Sequence, residues 1–343
     1  MTLPSSSFTA IDRRNFLAIL VAGAGSAALA TPALARFDSL LPMQDLIFDW
    51  TQLKPGFHAF ADQNTGGNSL IAFSEDQVLL IDTKFAHLGG ALHQDAKTLA
   101  AADSQLTLIN THHHGDHTGG NGLIIPFASA SYAHKNAVKR IKDQLETYKQ
   151  SAQSGPAQIR RNKGTDEQLA LAISAADASQ AWTRADIAPK TRVQDEGASF
   201  TLGTSEIDLH HFGRGHTDND LVVYFPNDNI VHTGDLVFNG LHPFFDPSAR
   251  VTAVGWTKSL KGILNLCDDT TTVIPGHGPI ANKQAVQSQL EYLEQLITHV
   301  QADIDAGKPK AESAKQEWDF MKGLGFESIR SRAIETTYDE LAI

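Results

Sequence analysis

The feature that most constrains this chain is a run of histidines and glycines at residues 111–121. The run reads Thr-His-His-His-Gly-Asp-His-Thr-Gly-Gly-Asn and directly follows residues 106–109, an apolar stretch typical of a buried strand. Glycines within the run permit a tight backbone, so side chains on either side of a turn can converge. Imidazole nitrogen and carboxylate oxygen together suit zinc, and also iron or manganese, which makes a metal site the favoured interpretation over a solvated loop. The potential ligands all lie within residues 112–117, and they are His112, His114, Asp116 and His117.

Three later segments each place one more potential ligand beside a glycine at a strand end. They are residues 213–217 (Gly-Arg-Gly-His-Thr), 232–235 (His-Thr-Gly-Asp) and 275–278 (Pro-Gly-His-Gly). Any one of them alone is an ordinary turn. Together, His216, Asp235 and His277 bring the number of potential ligands to seven. Two adjacent metals need about this many if one carboxylate bridges them and water fills the open positions.

The amino-acid composition limits which ligands and binding partners such a site can have. The chain has 15 histidines but one cysteine, Cys267, so neither an internal disulfide nor a thiolate zinc cage is available to it. We interpret Cys267 as a packing residue. The net charge of −11 and the lack of a long Lys/Arg run argue against a nucleic-acid partner. A small-molecule substrate is therefore expected, and the oligomeric state is left open.

The first 35 residues are predicted to be an export signal. Arg13 and Arg14 precede a weakly apolar run at 16–30, and small-x-small sites follow at 28–30 and 33–35, the order of a signal peptide with its cleavage site. The paired arginines resemble the twin-arginine signal, which exports folded proteins to the periplasm. A membrane anchor is the alternative, but the run is short of the roughly 20 residues that span a bilayer. We expect a soluble periplasmic protein without a stable membrane anchor, starting near Arg36.

The remaining chain alternates between strand and helix patterns. Strands are predicted within 46–83, at 106–109, 207–209, 221–225 and 272–274, and helices at 90–103, 135–150 and 286–304. The stretch 150–195 is polar and Ala-rich without a strand pattern, and 310–343 is polar and helical in character. This order predicts two βα-rich halves packed as layers. We expect a catalytic domain at 36–283, with a helical insertion at about 135–195, and a C-terminal helical extension at 284–343.

The four motifs taken in order resemble the metallo-β-lactamase superfamily. The similarity covers roughly residues 45–283: His-x-His-x-Asp-His at 112–117, then Gly-x-Gly-His-Thr, Gly-Asp and Pro-Gly-His-Gly. It implies an α/β fold of four layers, an αββα sandwich, with two metal ions at one edge between the sheets. By this resemblance one metal is held by His112, His114 and His216, and the other by Asp116, His117 and His277. Asp235 resembles the bridging carboxylate.

The resemblance also implies a reaction and supporting residues. Two divalent ions, zinc in the first place with iron or manganese as alternatives, would provide hydroxide at neutral pH for hydrolysis. Asp116 would handle the proton, as the catalytic residue. An acidic residue at the position of Asp82 commonly accepts a hydrogen bond from a ligating histidine in this family, and Thr118 and Thr217 each follow a ligand.

Other residues near the motifs are not expected to ligate the metals. We expect His113 to point away from the metals, and His210, His211 and His232 to be packing or surface residues. The loop after Asp235 is a candidate wall for a substrate groove, with ordinary core aromatics as the equal alternative. The candidate groove residues are Phe238, Asn239, His242 and Phe244.

The substrate class stays open between branches of the superfamily. Residues 215–226 look like the corresponding strand of true zinc β-lactamases, but Asp235 stands where many of those enzymes have a cysteine ligand. An aspartate at this position resembles instead the glyoxalase II, lactonase and general hydrolase branches of the superfamily. Our leading hypothesis is a periplasmic binuclear hydrolase that opens a cyclic amide or ester of the β-lactam or lactone type. The alternatives are a thioesterase or phosphoesterase of the glyoxalase II-like branch and a non-catalytic periplasmic metal-binding accessory protein.

Overall fold

A computed structural model describes residues 46–62, 64–101 and 103–342. The predicted signal peptide at 1–35, with Arg13 and Arg14, lies outside these residues. Within them, no helix is both long enough and apolar enough to cross a membrane. The described chain is built on two β-sheets with helices on their outer faces.

The first sheet has seven strands that lie side by side in chain order. They are β1 Thr51–Lys54, β2 Phe57–Phe60, β3 Ser69–Phe73, β4 Gln77–Ile81, β5 Gln105–Ile109, β6 Ala130–His134 and β7 Thr191–Val193. Strands β1 to β4 pair antiparallel, as expected for the hairpin pattern in this region, and β4 to β7 pair parallel. Parallel neighbours require crossover connections, and helices supply them.

The second sheet has six strands in the spatial order β13-β12-β11-β10-β9-β8. They are β8 Ala198–Leu202, β9 Ser205–His210, β10 Val222–Phe225, β11 Ile230–Phe238, β12 Thr272–His277 and β13 Ala281–Asn282. All neighbours are antiparallel except β11 and β12, which are parallel. An apolar core with Leu70, Leu79, Val223 and Ile274 fills the space between the two sheets.

Helices cover the outer face of each sheet. The helices between strands of the first sheet are α1 Gly89–Leu99, α2 Gly115–Thr118, α3 Asn121–Ile124, α4 Lys135–Asp143, α5 Leu145–Arg161, α6 Asp166–Ser179 and α7 Arg184–Ile187. Those on the second are α8 Ala253–Leu266, α9 Lys283–Asp305, α10 Lys310–Ser313 and α11 Arg330–Leu341. Separate apolar clusters join each sheet to its helices. The order helix, sheet, sheet, helix confirms the predicted four-layer α/β fold with a helical C-terminal region.

Two local predictions differ from the structure. The single helix predicted at 135–150 is two helices, α4 and α5, which meet at Gln144. The stretch 150–195 is helical as expected up to Ile187, but it ends in strand β7 at the edge of the first sheet. Three residues are too few to show the alternation that marks a strand, so the pattern could not reveal β7.

Cys267 follows α8 and is buried in the core between the second sheet and its helices. Burial raises the pKa of its thiol to about 11. The thiolate is therefore scarce at neutral pH, which agrees with a packing residue rather than a nucleophile or ligand.

Candidate metal centre

The seven predicted ligands come from five places in the chain and meet at one edge between the sheets. The segment between β5 and the short helix α2 carries His112 and His114, and Asp116 and His117 lie on α2 itself. His216 lies in the connection between β9 and β10, Asp235 within β11, and His277 at the end of β12. Glycine is required where backbone crosses these side chains: a Cβ on Gly276 would lie 2.0 Å from Asp235 Oδ1, and one on Gly67 would lie 2.0 Å from the His117 ring.

His112, His114 and His216 form the first cluster. His114 Nδ1 lies 3.1 Å from His112 Nε2 and 3.0 Å from His216 Nε2. Asp235 Oδ2 closes the group, at 3.4 Å from His216 Nε2 and 3.7 Å from His112 Nε2. One ligand atom from each of these four residues can be chosen so that all lie within 4.8 Å of one another. A single metal ion can be reached by all four.

Asp116, His117 and His277 form the second cluster. His277 Nε2 lies 3.2 Å from Asp116 Oδ2 and 3.4 Å from His117 Nε2. Asp235 reaches this cluster too, because its Oδ1 lies 3.0 Å from His117 Nε2. Both clusters therefore share one carboxylate, in the arrangement that the resemblance implies for a bridging residue.

Hydrogen bonds on the far side of each ring show which nitrogen is free in the first cluster. His216 Nδ1 lies 3.0 Å from the Phe244 carbonyl oxygen and His114 Nε2 lies 3.1 Å from Asp246 Oδ2, so both of these nitrogens donate. The Thr111 hydroxyl donates to Asp82 and therefore accepts from His112 Nδ1 at 3.0 Å. The three remaining nitrogens carry lone pairs that face one another, which is the donor set a divalent cation requires.

Asp235 Oδ1 gives the sharpest test of whether the residues fit a metal. His117 Nδ1 donates to Asp82 at 2.7 Å, so the neutral ring presents a lone pair at Nε2, 3.0 Å from Asp235 Oδ1. While His117 is neutral, the buried Oδ1 has no hydrogen-bond donor among the described residues. A buried carboxylate oxygen without a donor is costly, and either a proton on His117 Nε2 or a metal ion shared with that imidazole removes the cost. The donor set fits a metal in each cluster.

The electrostatics of the site favour positive charge. Burial lowers the pKa of His216 to about 3, which keeps this ligand neutral. Burial also acts on His117 and His277, but the nearby Asp235 and Asp116 outweigh it, raising the pKa of His117 well above its ordinary range and that of His277 to about 9. The carboxylates therefore attract a cation, and a metal must displace protons to bind.

Asp82 follows β4 and contacts one candidate ligand of each cluster, His117 directly and His112 through Thr111. Its Oδ2 accepts from His117 Nδ1 at 2.7 Å and from the Thr111 hydroxyl at 2.6 Å, and its Oδ1 accepts from the Thr111 backbone N–H at 2.8 Å. Because Thr111 is held by Asp82, its hydroxyl in turn fixes the orientation of the His112 ring through the hydrogen bond at 3.0 Å. Asp82 itself has a φ of 59°, a left-handed conformation that few residues other than Gly, Asn and Asp adopt readily.

The two predicted threonines support backbone near the ligands. The Thr118 hydroxyl donates to the His114 carbonyl at 2.8 Å and contacts the Tyr148 hydroxyl. The Thr217 side chain and backbone N–H both bond to Asp220, a buried residue that sequence reasoning did not single out. Burial raises the pKa of Asp220 to about 8.

The other histidines lie outside the two clusters. His113 Nδ1 lies 3.1 Å from the Asn219 amide nitrogen and is not part of either cluster. His232 is buried beside the Asn68 carbonyl, His211 stacks on His134, and His210 stacks on Phe212.

Asp246 is the functional candidate that the sequence did not reveal. It lies 132 positions from His114 in the chain, yet its Oδ2 accepts from His114 Nε2 and fixes the tautomer of that ring. No motif links the two residues. The local signal, Asp before Pro247 and Ser248, predicts only a capped turn, which Asp246 also forms through Ser248.

A cavity of about 600 Å³ opens over both clusters. Only two of the four residues predicted to line a substrate groove are part of its lining. Phe238 and Phe244 line it, but Asn239 and His242 do not. The Asn239 amide donates to the Pro279 carbonyl at 2.9 Å and lines a different cavity. His242 is buried, with Nδ1 at 3.0 Å from the Tyr292 hydroxyl and Nε2 at 3.1 Å from Glu327. Sequence position alone could not separate these directions, because the loop is irregular.

Comparison with known proteins identifies the class. The sequence profile of the metallo-beta-lactamase superfamily matches residues 64–277, which is more than half of the chain. The chain belongs to this superfamily, a family of metal-dependent hydrolases.

Individual relatives are distant and partial. The chain is similar to a metallo-beta-lactamase type 2 of Elizabethkingia meningoseptica, at 26% identity over 29% of this chain and 41% of that protein. It is also similar to the metallo-beta-lactamase IND-1 of Chryseobacterium indologenes, at 26% identity over 31% of this chain and 44% of that protein. The matched part is therefore less than half the length of these relatives.

Solved structures support the fold. The metallo-beta-lactamase VMB-1 aligns with 74% of this chain and 99% of its own, at a TM-score of 0.51 and 15% identity. A metallo-beta-lactamase from Pontibacter korlensis aligns with 72% of this chain and 98% of its own, at a TM-score of 0.51 and 17% identity. At these identities the similarity concerns the fold.

We predict that Asp82→Asn lowers metal affinity by about 10–100-fold, the usual effect of losing a hydrogen-bond partner of a ligating histidine. Asparagine tolerates the left-handed φ of Asp82, but it has one acceptor oxygen where the carboxylate has two. It therefore cannot accept the Thr111 backbone N–H on one atom and both His117 Nδ1 and the Thr111 hydroxyl on the other. Competition with a chromogenic chelator measures the affinity, and circular dichroism checks the fold. Asp76→Asn, at an exposed turn residue, is the control. Equal affinity in Asp82→Asn and the control would contradict the positioning role.

Proposed function

We propose that the protein is a binuclear hydrolase that opens a cyclic amide or ester, of the β-lactam or lactone type. The observation that carries this proposal is Asp235, whose Oδ2 faces the first cluster while its Oδ1 faces His117 of the second. The clusters would hold two divalent ions, zinc in the first place, which would polarise the scissile carbonyl and lower the pKa of a water molecule.

Asp116 is the residue we assign to proton transfer. Its side chain is 24% exposed and lines the cavity, whereas that of Asp235 is 3% exposed. Asp116 is anchored beside His277, at 3.2 Å, so its carboxylate has a fixed position relative to both the second cluster and the cavity. A carboxylate held at the floor of a cavity can accept a proton from the attacking water and pass it to the leaving group.

The cavity supports a compact, partly apolar substrate. Its volume of about 600 Å³ is within the range of small-molecule sites. Aromatic side chains from three parts of the chain surround the metal ligands there and would exclude bulk water from the reacting bond. The names of the two curated relatives reported above, both metallo-beta-lactamases, support cyclic amides, while the resemblance of Asp235 to the lactonase branch supports cyclic esters.

We predict that the zinc-loaded protein carries two metals per chain and hydrolyses at least one member of a panel of cephalosporins, lactones and aryl esters. Asp116→Ala should lower kcat at least a hundredfold, because both a proton acceptor and a metal ligand are lost. Atomic emission spectroscopy measures metal content and absorbance follows hydrolysis. Asp269→Ala, at a fully exposed aspartate, is the matched control.

Three outcomes would contradict this proposal. Full activity in Asp116→Ala would remove that residue from the reaction. Turnover of acyl-thioesters or bis(p-nitrophenyl) phosphate in preference to the lactams and lactones would assign the alternative hydrolase class. Bound metal with no turnover of any substrate would leave a metal-binding accessory protein.

We also infer that the chain is exported to the periplasm by the twin-arginine route. The support is the order of residues 13–35: paired arginines, an apolar run and small-residue cleavage sites. We predict that the double variant Arg13→Lys, Arg14→Lys accumulates unprocessed in the cytoplasm, because this route is known for its dependence on the arginine pair. Fractionation and immunoblotting measure it, with Arg36→Lys as the control. Unchanged periplasmic processing of the double variant would contradict this route.

A further inference from the structure

A segment of the C-terminal region reaches the cavity over the metal clusters. Phe326, Ser328 and Ile329 line this cavity, although the family profile ends at residue 277. The Phe326 ring meets the His277 ring edge-on, with centroids 5.9 Å apart. Residues outside the family match therefore form part of the surface that a bound substrate would touch. We call residues 326–329 the C-terminal wall.

Contacts on its other side hold the C-terminal wall in place. Gly325, just before it, donates to the Gly240 carbonyl at 3.0 Å and accepts from the His242 N–H at 2.9 Å. Glu327 bonds to His242 Nε2 at 3.1 Å and to Arg330 Nε at 2.6 Å. These bonds fasten the wall to the loop that carries Phe238 and Phe244, so both sides of the cavity are positioned together.

The lining of the cavity is apolar and acidic. Its apolar side chains come from the segment after β4, from the end of β11 and the loop that follows it, and from the C-terminal wall; they are Phe85, Phe238, Phe244, Phe326 and Ile329. Its carboxylates are Asp116, Asp235 and Asp246, and no lysine or arginine is among the described lining residues.

Arg332 is a cation beside this lining, and it is already engaged. Its guanidinium carbon lies 4.8 Å from the centre of the Phe244 ring, and a guanidinium nitrogen lies 3.8 Å from Asp246. Two bound metals would compensate the carboxylates that ligate them. A substrate carboxylate that lay against Ile329 would meet apolar side chains, and no lysine or arginine is present among the described lining residues to pair with it.

We propose that the C-terminal wall is a specificity-determining element that binds an uncharged aromatic or apolar group of the substrate and disfavours substrates with a carboxylate at that end. This inference rests on the proposed hydrolytic function and adds to it the class of substrate. Desolvating a carboxylate against phenyl rings without a positive partner is unfavourable, whereas an aryl group buries apolar area there.

The test compares two esters that share a leaving group, the 4-nitrophenyl esters of 4-carbamoylbenzoic acid and of terephthalic acid. They differ in a remote amide or carboxylate, and each rate is divided by that of alkaline hydrolysis. We predict that the zinc-loaded protein prefers the neutral ester at least tenfold in kcat/KM. Ile329→Ala should lower kcat/KM for the neutral ester by about tenfold, mainly through KM, because buried apolar contact is lost. Ile173→Ala, the same truncation at an exposed site on α6, should not change it.

A charge substitution makes the test independent of packing losses. Ile329→Lys should raise the relative kcat/KM for the anionic ester at least tenfold, while the neutral variant Ile329→Met should keep the wild-type ratio. Equal use of both esters by the wild type, or an unchanged ratio in Ile329→Lys, would overturn the inference even if hydrolysis is fast.

A binding measurement separates this inference from the proposed function. Calorimetry with the two hydrolysis-inert analogues, the 4-nitrophenyl ethers of 4-(hydroxymethyl)benzamide and 4-(hydroxymethyl)benzoic acid, reports selectivity without turnover. Preference for the amide, weakened in Ile329→Ala, supports the C-terminal wall even if neither ester is hydrolysed. Equal binding of the two ethers, insensitive to Ile329→Ala, would overturn it.

Discussion

Unshared electron pairs face one another across gaps of 3.0 to 3.7 Å around Asp235, and the rest of the structure is arranged to keep them there. Such an arrangement repels itself in a buried site unless protons or metal ions lie between the donors. Each ring in the first cluster is held from behind by a hydrogen bond, and so is His117. The fold therefore positions the donors before a metal arrives, and metal binding adds to the stability of the folded state.

The sheet topology explains why the candidate ligands and Asp82 meet at one edge between the two sheets. Parallel strands β4 and β5 end side by side, which brings Asp82 at the end of one next to Thr111 after the other. The parallel pair β11 and β12 brings Asp235, within β11, next to His277 at the end of β12 in the second sheet. Each sheet thus contributes a pair of neighbouring parallel strands, and the residues that they carry meet at the same edge. Asp82 is the point at which constraints on both clusters converge.

Sequence reasoning reached the ligands because their signals are local. Residues 112–117 follow a recognisable strand, and their spacing alone indicates a metal site. The layered fold followed from the order of strands and helices. Residues 232–235 were expected at a strand end, but the bounds of β11 were not predicted and Asp235 lies within it, because all nine of its residues are buried and polar residues interrupt its apolar run. A strand buried on both faces has no alternation to detect.

The cavity depends on contacts that no local pattern encodes. Asp246, the C-terminal wall, and Gln144 with Thr147 at the start of α5 all reach it from distant parts of the chain. Their places follow from how the layers pack, which a single sequence does not show. We therefore propose a division of roles: the shared core holds the metals, and the segments added around it choose the substrate.

The most direct test of this account is the anomalous diffraction of crystals of the zinc-loaded protein at the zinc edge. The account predicts two zinc peaks about 3.5–4 Å apart, with the Asp235 carboxylate between them and the two clusters on either side. A single peak, or two peaks of which only one contacts Asp235, would contradict the claim that this carboxylate joins the two clusters into one binuclear centre.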